Sequence, residues 1–393
     1  MVKPIIFIRA LSFTACLLVV MGCVAQQKGR VGTVGTGASQ ISSIISAVGD
    51  KRVGMFVNQT AMVGNTHVVD TLLSRGVRVV KIYSPEHGFR GDADAGEDVG
   101  NGTDPRSGVP IVSLYGPNKK PKPEQLADVD VVLFDMQDIG VRFFTYISSL
   151  HYMMEACAEQ GKPLIILDRP NPNGGYVDGP MMETAHKSFV GMHPIPVVHG
   201  MTIGEYARMV NGERWLSGGL QCDLKVIPVT GWKHGDPWHV AVKPSPNLPN
   251  DHAIRIYPST CFFEGTVLSI GRGTMNPFEQ TGHPDLKNYK HTFTPVSIPG
   301  MSKTPPLMNQ LCHGLDFRTM EVNDRLNLAP LIELYNAFPD KDKFFISYFE
   351  KLAGTATLRE QIRQGVSEEK IRESWQPGLK AFREMRKKYL LYP

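Results

Sequence analysis

The chain has 393 residues, with 42 Lys and Arg against 38 Asp and Glu, and 42% of its residues are hydrophobic. A formal charge of +4 over this length argues against a protein that binds nucleic acid through a basic surface, and the apolar content excludes a disordered chain. The length predicts roughly two or three domains.

The N-terminal segment is typical of an export signal. A short basic stretch precedes the apolar run of residues 11–21, which is too short to span a bilayer comfortably. The run ends in Val-Met-Gly-Cys, which resembles the lipobox of bacterial lipoproteins, where Cys23 becomes the acylated first residue. An ordinary signal peptide with a coincidental cysteine is the alternative. We predict a signal peptide over residues 1–22 and an exported protein, lipid-anchored in the bacterial cell envelope (periplasmic side of a membrane or cell surface).

Residues 23–45 are rich in Gly, Thr and Gln, and we interpret them as a tether. The cysteines beyond the lipobox are scattered and form no C-x-x-C pair, so neither a zinc site nor a disulfide framework is indicated, although one bridge stays possible. The acidic loop at residues 91–98 lacks the ligand spacing of an EF-hand. We predict no metal and no cofactor.

From residue 46 onward, short β-branched runs alternate with stretches that can form helices. The runs cover residues 53–57, 77–83, 129–134 and 164–167. The last two are almost wholly apolar, as strands buried on both faces of a parallel sheet are. This alternation predicts an α/β fold with a doubly wound, mostly parallel sheet.

Polar side chains follow each run, and the carboxyl ends of parallel strands share one edge of a sheet, where ligands bind. They are Asn58 after the first run; Glu86 and His87 after the second; Asp135, Gln137, Asp138 and Arg142 after the third; and Asp168, Arg169 and Asn171 after the fourth. Pro85 and Gly88 predict a tight loop that presents Glu86. The structural alternative for each Asp is a helix cap or a turn, and for His87 a hydrogen-bond partner.

The second half supplies further candidates. His199 precedes a helix that Thr202 and Glu205 should begin as a capping box, so Glu205 has a structural explanation. Glycines on both sides of Arg272 would aim its guanidinium, which predicts a carboxylate clamp, with a surface salt bridge as the alternative.

Several of these motifs together resemble one family. They are Ser84-Pro85-Glu86-His87-Gly88-Phe89-Arg90-Gly91, the segment Asp135 to Tyr146, Asp168-Arg169-Pro170-Asn171-Pro172, Phe263-Glu264-Gly265 and Gly271-Arg272-Gly273. In this order, between Lys51 and the final Tyr-Leu-Leu-Tyr-Pro, they resemble the exo-β-N-acetylmuramidase (NamZ) family of glycoside hydrolases, formerly a domain of unknown function. The resemblance implies a Rossmann-like catalytic domain, which we place at 46–256, and a smaller α+β auxiliary domain at 257–393, with a cleft between them.

The resemblance also implies an activity, the release of N-acetylmuramic acid from the non-reducing end of peptidoglycan glycan fragments. Glu86 is then the candidate general acid or base. The second carboxyl stays open among Asp138, Asp135, Asp168 and Glu264, with Asp138 placed first; the acetamido group of the substrate could also act as nucleophile. Arg142, Arg169 and Arg272 would bind the lactyl carboxylate of muramic acid. The remaining substrate-binding candidates are His87, Asn58, Gln137, Tyr146, Asn171 and His199.

Two other functions stay open at this point. One is another amino-sugar hydrolase or deacetylase of the same fold, because a fold does not fix a substrate. The other is a non-catalytic lipoprotein that binds cell-wall sugars. The expected partners are peptidoglycan-derived saccharides and, through Cys23, a membrane, with no nucleic acid. The sequence specifies neither a retaining or inverting mechanism nor an oligomeric state.

Overall fold

The computed structural model describes Met1 and residues 34–86, 88–90 and 100–393. The predicted signal peptide, Cys23, His87 and the acidic loop at residues 91–98 therefore lie outside the described residues. Within the described ranges, none of the helices combines the length and apolar character needed to span a membrane.

The described strands are, in chain order, β1 (Val53–Val57), β2 (Met62–Val63), β3 (Thr66–His67), β4 (Val79–Ser84), β5 (Gly102–Thr103), β6 (Pro110–Ser113), β7 (Val131–Asp135), β8 (Leu164–Leu167), β9 (Leu224–Ile227), β10 (Gln280–His283), β11 (His291–Phe293) and β12 (Cys312–Asp316). The α-helices are α1 (Ile41–Val48), α2 (Val68–Ser74), α3 (Pro123–Leu126), α4 (Tyr146–Glu159), α5 (Ile203–Gly212), α6 (Asp251–Thr260), α7 (Ala329–Ala337), α8 (Lys341–Phe344), α9 (Phe349–Ala353), α10 (Thr357–Arg363) and α11 (Glu368–Arg386).

The central sheet has the order β5-β6-β4-β1-β7-β8-β9 among the described residues. All its neighbouring pairs are parallel except β5 with β6 at one edge. The chain moves outward from β1 through β4 to β6, then returns to the other side of β1 with β7 and continues outward. This is the strand order of a Rossmann fold, whose ligand crevice opens where the direction reverses, here between β1 and β7. The predicted doubly wound α/β fold is confirmed.

Alternation along the strands divides the core between the two faces of the sheet. Met55 and Val57 of β1 pack in the cluster that also holds Ile44 and Val69 from α1 and α2. Phe56, between them, faces the opposite way and meets Phe134 of β7 with ring centroids 5.4 Å apart. Because both faces are covered, the strands are almost continuously apolar, which is why the sequence identified them.

The tether was predicted over residues 23–45, but the second half of this segment is folded. Residues 34–45 belong to the folded unit: Ala38 and Ile44 are fully buried, and Gly35 pairs with Thr230. Apolar residues recur at helical spacing in α1, where Ile44 and Val48 are one turn apart and both buried. The Gly- and Thr-rich composition just before α1 concealed this pattern.

The C-terminal part forms a smaller α+β region, as predicted. Its antiparallel sheet has the order β10-β12-β11, and α7 to α11 follow it in the chain. Its apolar core is continuous with the α4 and α5 face of the central sheet. The chain end also returns to the first region, because the Tyr392 hydroxyl donates to Asp168 Oδ2 at 2.5 Å and accepts from the Val229 N–H at 2.9 Å.

Candidate functional site

A cavity of 420 Å³ lies where loops from the carboxyl edge of the central sheet meet segments of the C-terminal region. Its lining residues are Glu86, Tyr115, Phe143, Phe144, Thr145, Tyr146, Ser188, Phe189, Val190, Ser245, Tyr257, Glu264, Arg272, Tyr348 and Lys351. Of the predicted site residues that the structure describes, Glu86, Tyr146, Glu264 and Arg272 are in this lining. Its volume lies near the low end of the range of about 300–1,000 Å³ typical of small-molecule sites.

Glu86 is positioned by two neighbouring strands. Ser84 at the end of β4 pairs with Ser113 at the end of β6, so Glu86 and Tyr115, each two residues further, lie side by side. The Tyr115 hydroxyl donates a 3.0 Å hydrogen bond to Glu86 Oε1. Gly88, with a φ of 74°, closes the loop through a 3.1 Å bond from its N–H to the Pro85 carbonyl. Burial and the charge of Glu86 raise the pKa of Tyr115, so the hydroxyl keeps its proton and remains the donor.

The segment that leads into α4 forms one part of the cavity lining. The Tyr146 hydroxyl donates to the Pro244 carbonyl at 2.6 Å, and its ring meets Phe144 with centroids 4.8 Å apart. Burial raises the pKa of Tyr146, and the charges of Glu86 and Asp138 raise it further. Aromatic faces with hydroxyl groups at their edges suit a sugar ring, which has both apolar C–H groups and polar hydroxyls.

The lining also contains Glu264 and Arg272. Arg272 Nε donates to Glu264 Oε1 at 2.7 Å, and its guanidinium lies 5.0 Å from the centroid of Phe278. Gly271 and Gly273 have φ angles of 77° and 78°, and a Cβ on Gly273 would lie 2.4 Å from Pro305. The glycines are therefore required to hold Arg272 in this place, where it forms a partly buried ion pair with Glu264.

Tyr348 is part of the same lining. Burial raises the pKa of its hydroxyl, and the charges of Glu264 and Glu86 raise it further. Lys351, one helical turn further on in α9, also lines the cavity.

Asp138 is only 4% exposed and is not part of the cavity lining. Its Oδ2 accepts a 2.7 Å hydrogen bond from the Gly140 N–H, while its Oδ1 has no hydrogen-bond partner among the described residues. Burial raises the pKa of Asp138 to about 7. Of the four carboxyls that competed for the second catalytic position, the cavity lining contains Glu264 and not Asp138.

The predicted role of Arg142 in binding the lactyl carboxylate is wrong, because its side chain holds the fold together. Its guanidinium is fully buried and donates to the carbonyls of Pro180, Ile195, Leu352 and Ala353 at 2.6–2.9 Å. A lactyl carboxylate cannot reach it. The position of Arg142 after β7 does not predict that three segments distant in the chain supply carbonyl oxygens to its guanidinium.

Arg169 is also unsuited to the predicted role at this cavity. It forms a bidentate pair with Asp135, with Nε to Oδ1 at 2.5 Å and Nη2 to Oδ2 at 2.9 Å. Arg169 lines a separate 240 Å³ cavity together with Gln137 and Trp238, and the Trp238 indole N–H donates to Gln137 Oε1 at 2.9 Å. These residues follow their strands as predicted, but they lie away from Glu86.

The remaining candidates hold loops together. Asp168 Oδ1 accepts from the Gly204 N–H at 2.9 Å at the start of α5, and its Oδ2 accepts from Thr202, so the capping alternative describes it. Asn171 donates to the Met201 carbonyl at 2.8 Å, and His199 Nδ1 accepts from the Met201 N–H at 3.2 Å. Asn58 is fully buried, and its Oδ1 accepts from the Thr60 N–H and hydroxyl.

Most of the lining residues were not predicted as site residues, among them Tyr115, Tyr257, Tyr348 and Lys351. Tyr115 was detectable, because Pro-Ile-Val-Ser is a short strand signal followed by polar residues, as at the other strands. The other three lie on or next to helices, where no local pattern indicates proximity to Glu86. Among the described residues, no three His, Cys, Asp or Glu side chains are grouped as metal ligands would be.

Comparison with known proteins agrees with this architecture. The family model for the N-terminal domain of exo-β-N-acetylmuramidase NamZ matches residues 53–252, and the model for its C-terminal domain matches residues 255–392. The chain belongs to the NamZ family. A curated relative, the peptidoglycan β-N-acetylmuramidase NamZ of Bacillus subtilis (strain 168), is 40% identical over 369 residues, covering 87% of each chain.

Solved structures of the same kind exist in Bacteroides fragilis NCTC 9343. One DUF1343 family protein matches with a TM-score of 0.85 and 45% identity, over 91% of this chain and 99% of that one. A second matches with a TM-score of 0.77 and 30% identity, over 92% of this chain and 99% of that one. The resemblance inferred from the motifs around Glu86, Asp135, Asp168 and Arg272 is confirmed. As a member of the NamZ family, the chain is a glycosidase.

Proposed function

We propose that the chain is an exo-acting β-N-acetylmuramidase that releases N-acetylmuramic acid from the non-reducing end of peptidoglycan glycan fragments. The observation that carries the proposal is that Glu86, with its Tyr115 donor, lines a sugar-sized cavity whose lining also contains Arg272 and Lys351. The name of the Bacillus relative, a peptidoglycan β-N-acetylmuramidase, supports the same substrate.

Glu86 is the proposed general acid and base. Cleavage of a glycoside needs a proton for the leaving oxygen and a nucleophile, or a stabilising charge, at the anomeric carbon. Glu264 is engaged by Arg272, so we assign the nucleophile to the acetamido oxygen of the substrate. That oxygen attacks the anomeric carbon while the glycosidic C–O bond breaks, and Glu86 gives its proton to the leaving oxygen.

Water completes the reaction. It adds to the anomeric carbon, the bond to the acetamido oxygen breaks, and the water proton passes to the Glu86 carboxylate. Two displacements at one carbon give a product with the configuration of the substrate, so the released sugar should first appear as the β-anomer. NMR observation of the first-formed anomer distinguishes this route from direct attack by water.

The size of the cavity fits removal of a terminal sugar. Its 420 Å³ is lined by Phe144, Tyr146, Arg272 and Tyr348, among other residues. A site of this volume has room for a single substituted sugar ring rather than for an internal stretch of a long glycan.

The decisive experiment uses a defined disaccharide with N-acetylmuramic acid at its non-reducing end and N-acetylglucosamine at the other. Mass spectrometry of the products should show both free monosaccharides with the wild-type chain and neither with Glu86→Gln. Arg318→Met, which removes the exposed ion pair with Asp316, is the control variant and should still release both monosaccharides. An untouched disaccharide with folded wild-type protein would refute the proposal, and loss of an acetyl group instead would point to a deacetylase.

We further propose that the chain is exported and held at the bacterial envelope by a lipid on Cys23. The support is the lipobox-like residues 20–23 behind a short apolar run. Labelling with a fatty acid in a bacterial host should mark the wild-type chain and not Cys23→Ser. The wild type should be found in the membrane fraction, and an unlabelled wild-type chain in the soluble fraction would contradict the anchor.

A further inference from the structure

We propose that Lys351 determines specificity for muramic acid by binding the carboxylate of its lactyl group. This inference rests on the function proposed above and concerns one recognition contact in the same cavity. N-acetylmuramic acid differs from N-acetylglucosamine by the lactyl ether, whose free carboxylate is its one negative charge. An enzyme that distinguishes the two sugars therefore needs a cation, or strong donors, at the place that this group occupies.

The structure removes most of the arginines from this role. Arg142 is fully buried against four carbonyl oxygens, and Arg169 lines a separate cavity while paired with Asp135. Among the described lining residues, the cations are Arg272 and Lys351.

Arg272 and Lys351 differ in their charge balance. Arg272 Nε is bound to Glu264 at 2.7 Å, so this pair carries no net charge. Lys351 forms no ion pair within the described part of the chain; it is an exposed residue and it lines the cavity. A carboxylate in this cavity would therefore gain most from Lys351, because only there is a positive charge not already balanced.

The position of Lys351 on α9 supports this role. Tyr348 and Lys351 are three residues apart on helical backbone and therefore share one face of the turn. Tyr348 lines the same cavity as Glu86 and Glu264, so this helix face forms part of the cavity wall. A sugar bound beside Glu86 would thus share the cavity with Lys351, whose long side chain can reach a substituent that projects from the ring.

The test compares three chromogenic glycosides that differ only in the lactyl group: the β-N-acetylmuramide, its lactyl methyl ester and the β-N-acetylglucosaminide. In the wild type, kcat/KM for the muramide should exceed that for its ester roughly 10- to 100-fold, the range expected for a charged hydrogen bond. In Lys351→Met this ratio should fall to near one, while the rate with the ester stays within about threefold. Lys351→Arg should restore part of the ratio.

Lys343→Met is the matched control, because Lys343 is an exposed lysine of the same region, on α8, that is paired with Asp340. It should leave the ratio unchanged. If Lys351→Met keeps the wild-type ratio, or lowers all three rates equally, Lys351 does not recognise the carboxylate. Melting temperatures of the variants should match the wild type, since an exposed side chain contributes little to folding.

A binding measurement separates this inference from the proposed function. Free N-acetylmuramic acid and its methyl ester are titrated into wild type and Lys351→Met by calorimetry. If the wild type turns over none of the glycosides, the proposed activity fails, but tighter binding of the acid than of the ester, lost in Lys351→Met, would still support the role of Lys351. Equal affinity for acid and ester in the wild type would overturn it.

Discussion

The Tyr115 hydroxyl and Glu86 Oε1 lie 3.0 Å apart because their strands, β6 and β4, are neighbours in register. The pair thus depends on sheet geometry and not on a flexible loop alone. Tyr115 keeps its proton, since burial and the Glu86 charge both raise its pKa. The hydroxyl is therefore protonated at neutral pH and can orient the Glu86 carboxylate through this hydrogen bond.

Removing the acid should abolish turnover without unfolding the chain. Glu86→Gln keeps the shape of the side chain and loses the proton, so kcat should fall by about 10²–10⁴-fold, the range of a general acid or base. The measurement is kcat on the chromogenic muramide together with the melting temperature. A variant with more than a tenth of the wild-type kcat would exclude Glu86 as the acid.

Loss of the orienting donor should have a smaller effect. Tyr115→Phe removes one hydrogen bond to Glu86, and we expect kcat to fall roughly 10-fold with little change in KM. Tyr289→Phe is the matched control, because the Tyr289 hydroxyl donates to Glu333 at the same 3.0 Å on an exposed surface. Its kinetics should match the wild type, and equal losses in both variants would show that Tyr115 has no special role.

The buried carboxyl of Asp138 should make stability depend on pH. Its pKa is raised from 3.8 to about 7 by burial, so the folded chain keeps a proton that the unfolded chain releases. The free energy of unfolding should therefore fall as pH rises from about 4 to about 7 and then level off. Asp138→Asn, which has no proton to release, should be more stable than wild type at pH 8 by a few kcal/mol, roughly, and by much less at pH 4.5.

Urea unfolding at these two pH values checks this expectation. The comparison isolates Asp138, because Asp168, whose pKa burial raises to about 6, is present in both proteins. A stability difference that is the same at pH 4.5 and pH 8 would contradict the buried, protonated state of Asp138.

Arg142 should matter for folding and not for substrate affinity. Arg142→Met leaves four interior carbonyl oxygens without their donor, and we expect unfolding to become easier by at least about 3 kcal/mol. Arg318→Met, at an exposed ion pair, should leave the free energy of unfolding nearly unchanged. Chemical denaturation gives both values. A folded Arg142→Met with an increased KM would restore the substrate-binding interpretation of Arg142.

The C-terminal tail should stabilise the first region through one hydroxyl. In Tyr392→Phe, Asp168 Oδ2 and the Val229 N–H both lose a buried partner, which should cost about 1–3 kcal/mol. KM and kcat should stay near wild-type values, because Asp168 does not line the cavity. Loss of activity at unchanged stability would instead place Asp168 in the catalytic machinery.

The sequence alone determined the parallel sheet and the loop that presents Glu86. Strands covered on both faces must be almost continuously apolar, as β7 and β8 are, and a Pro-x-x-Gly turn directly after such a strand presents its polar residue at the sheet edge. The position of a polar side chain after a strand does not predict whether that side chain lines the cavity. That was decided by long-range packing, which surrounded Arg142 with carbonyls, turned Asp168 into a cap for α5 and brought Tyr348 and Lys351 into the same cavity as Glu86. Contacts between residues hundreds of positions apart leave no periodic signal in the chain, because they depend on how the two regions meet.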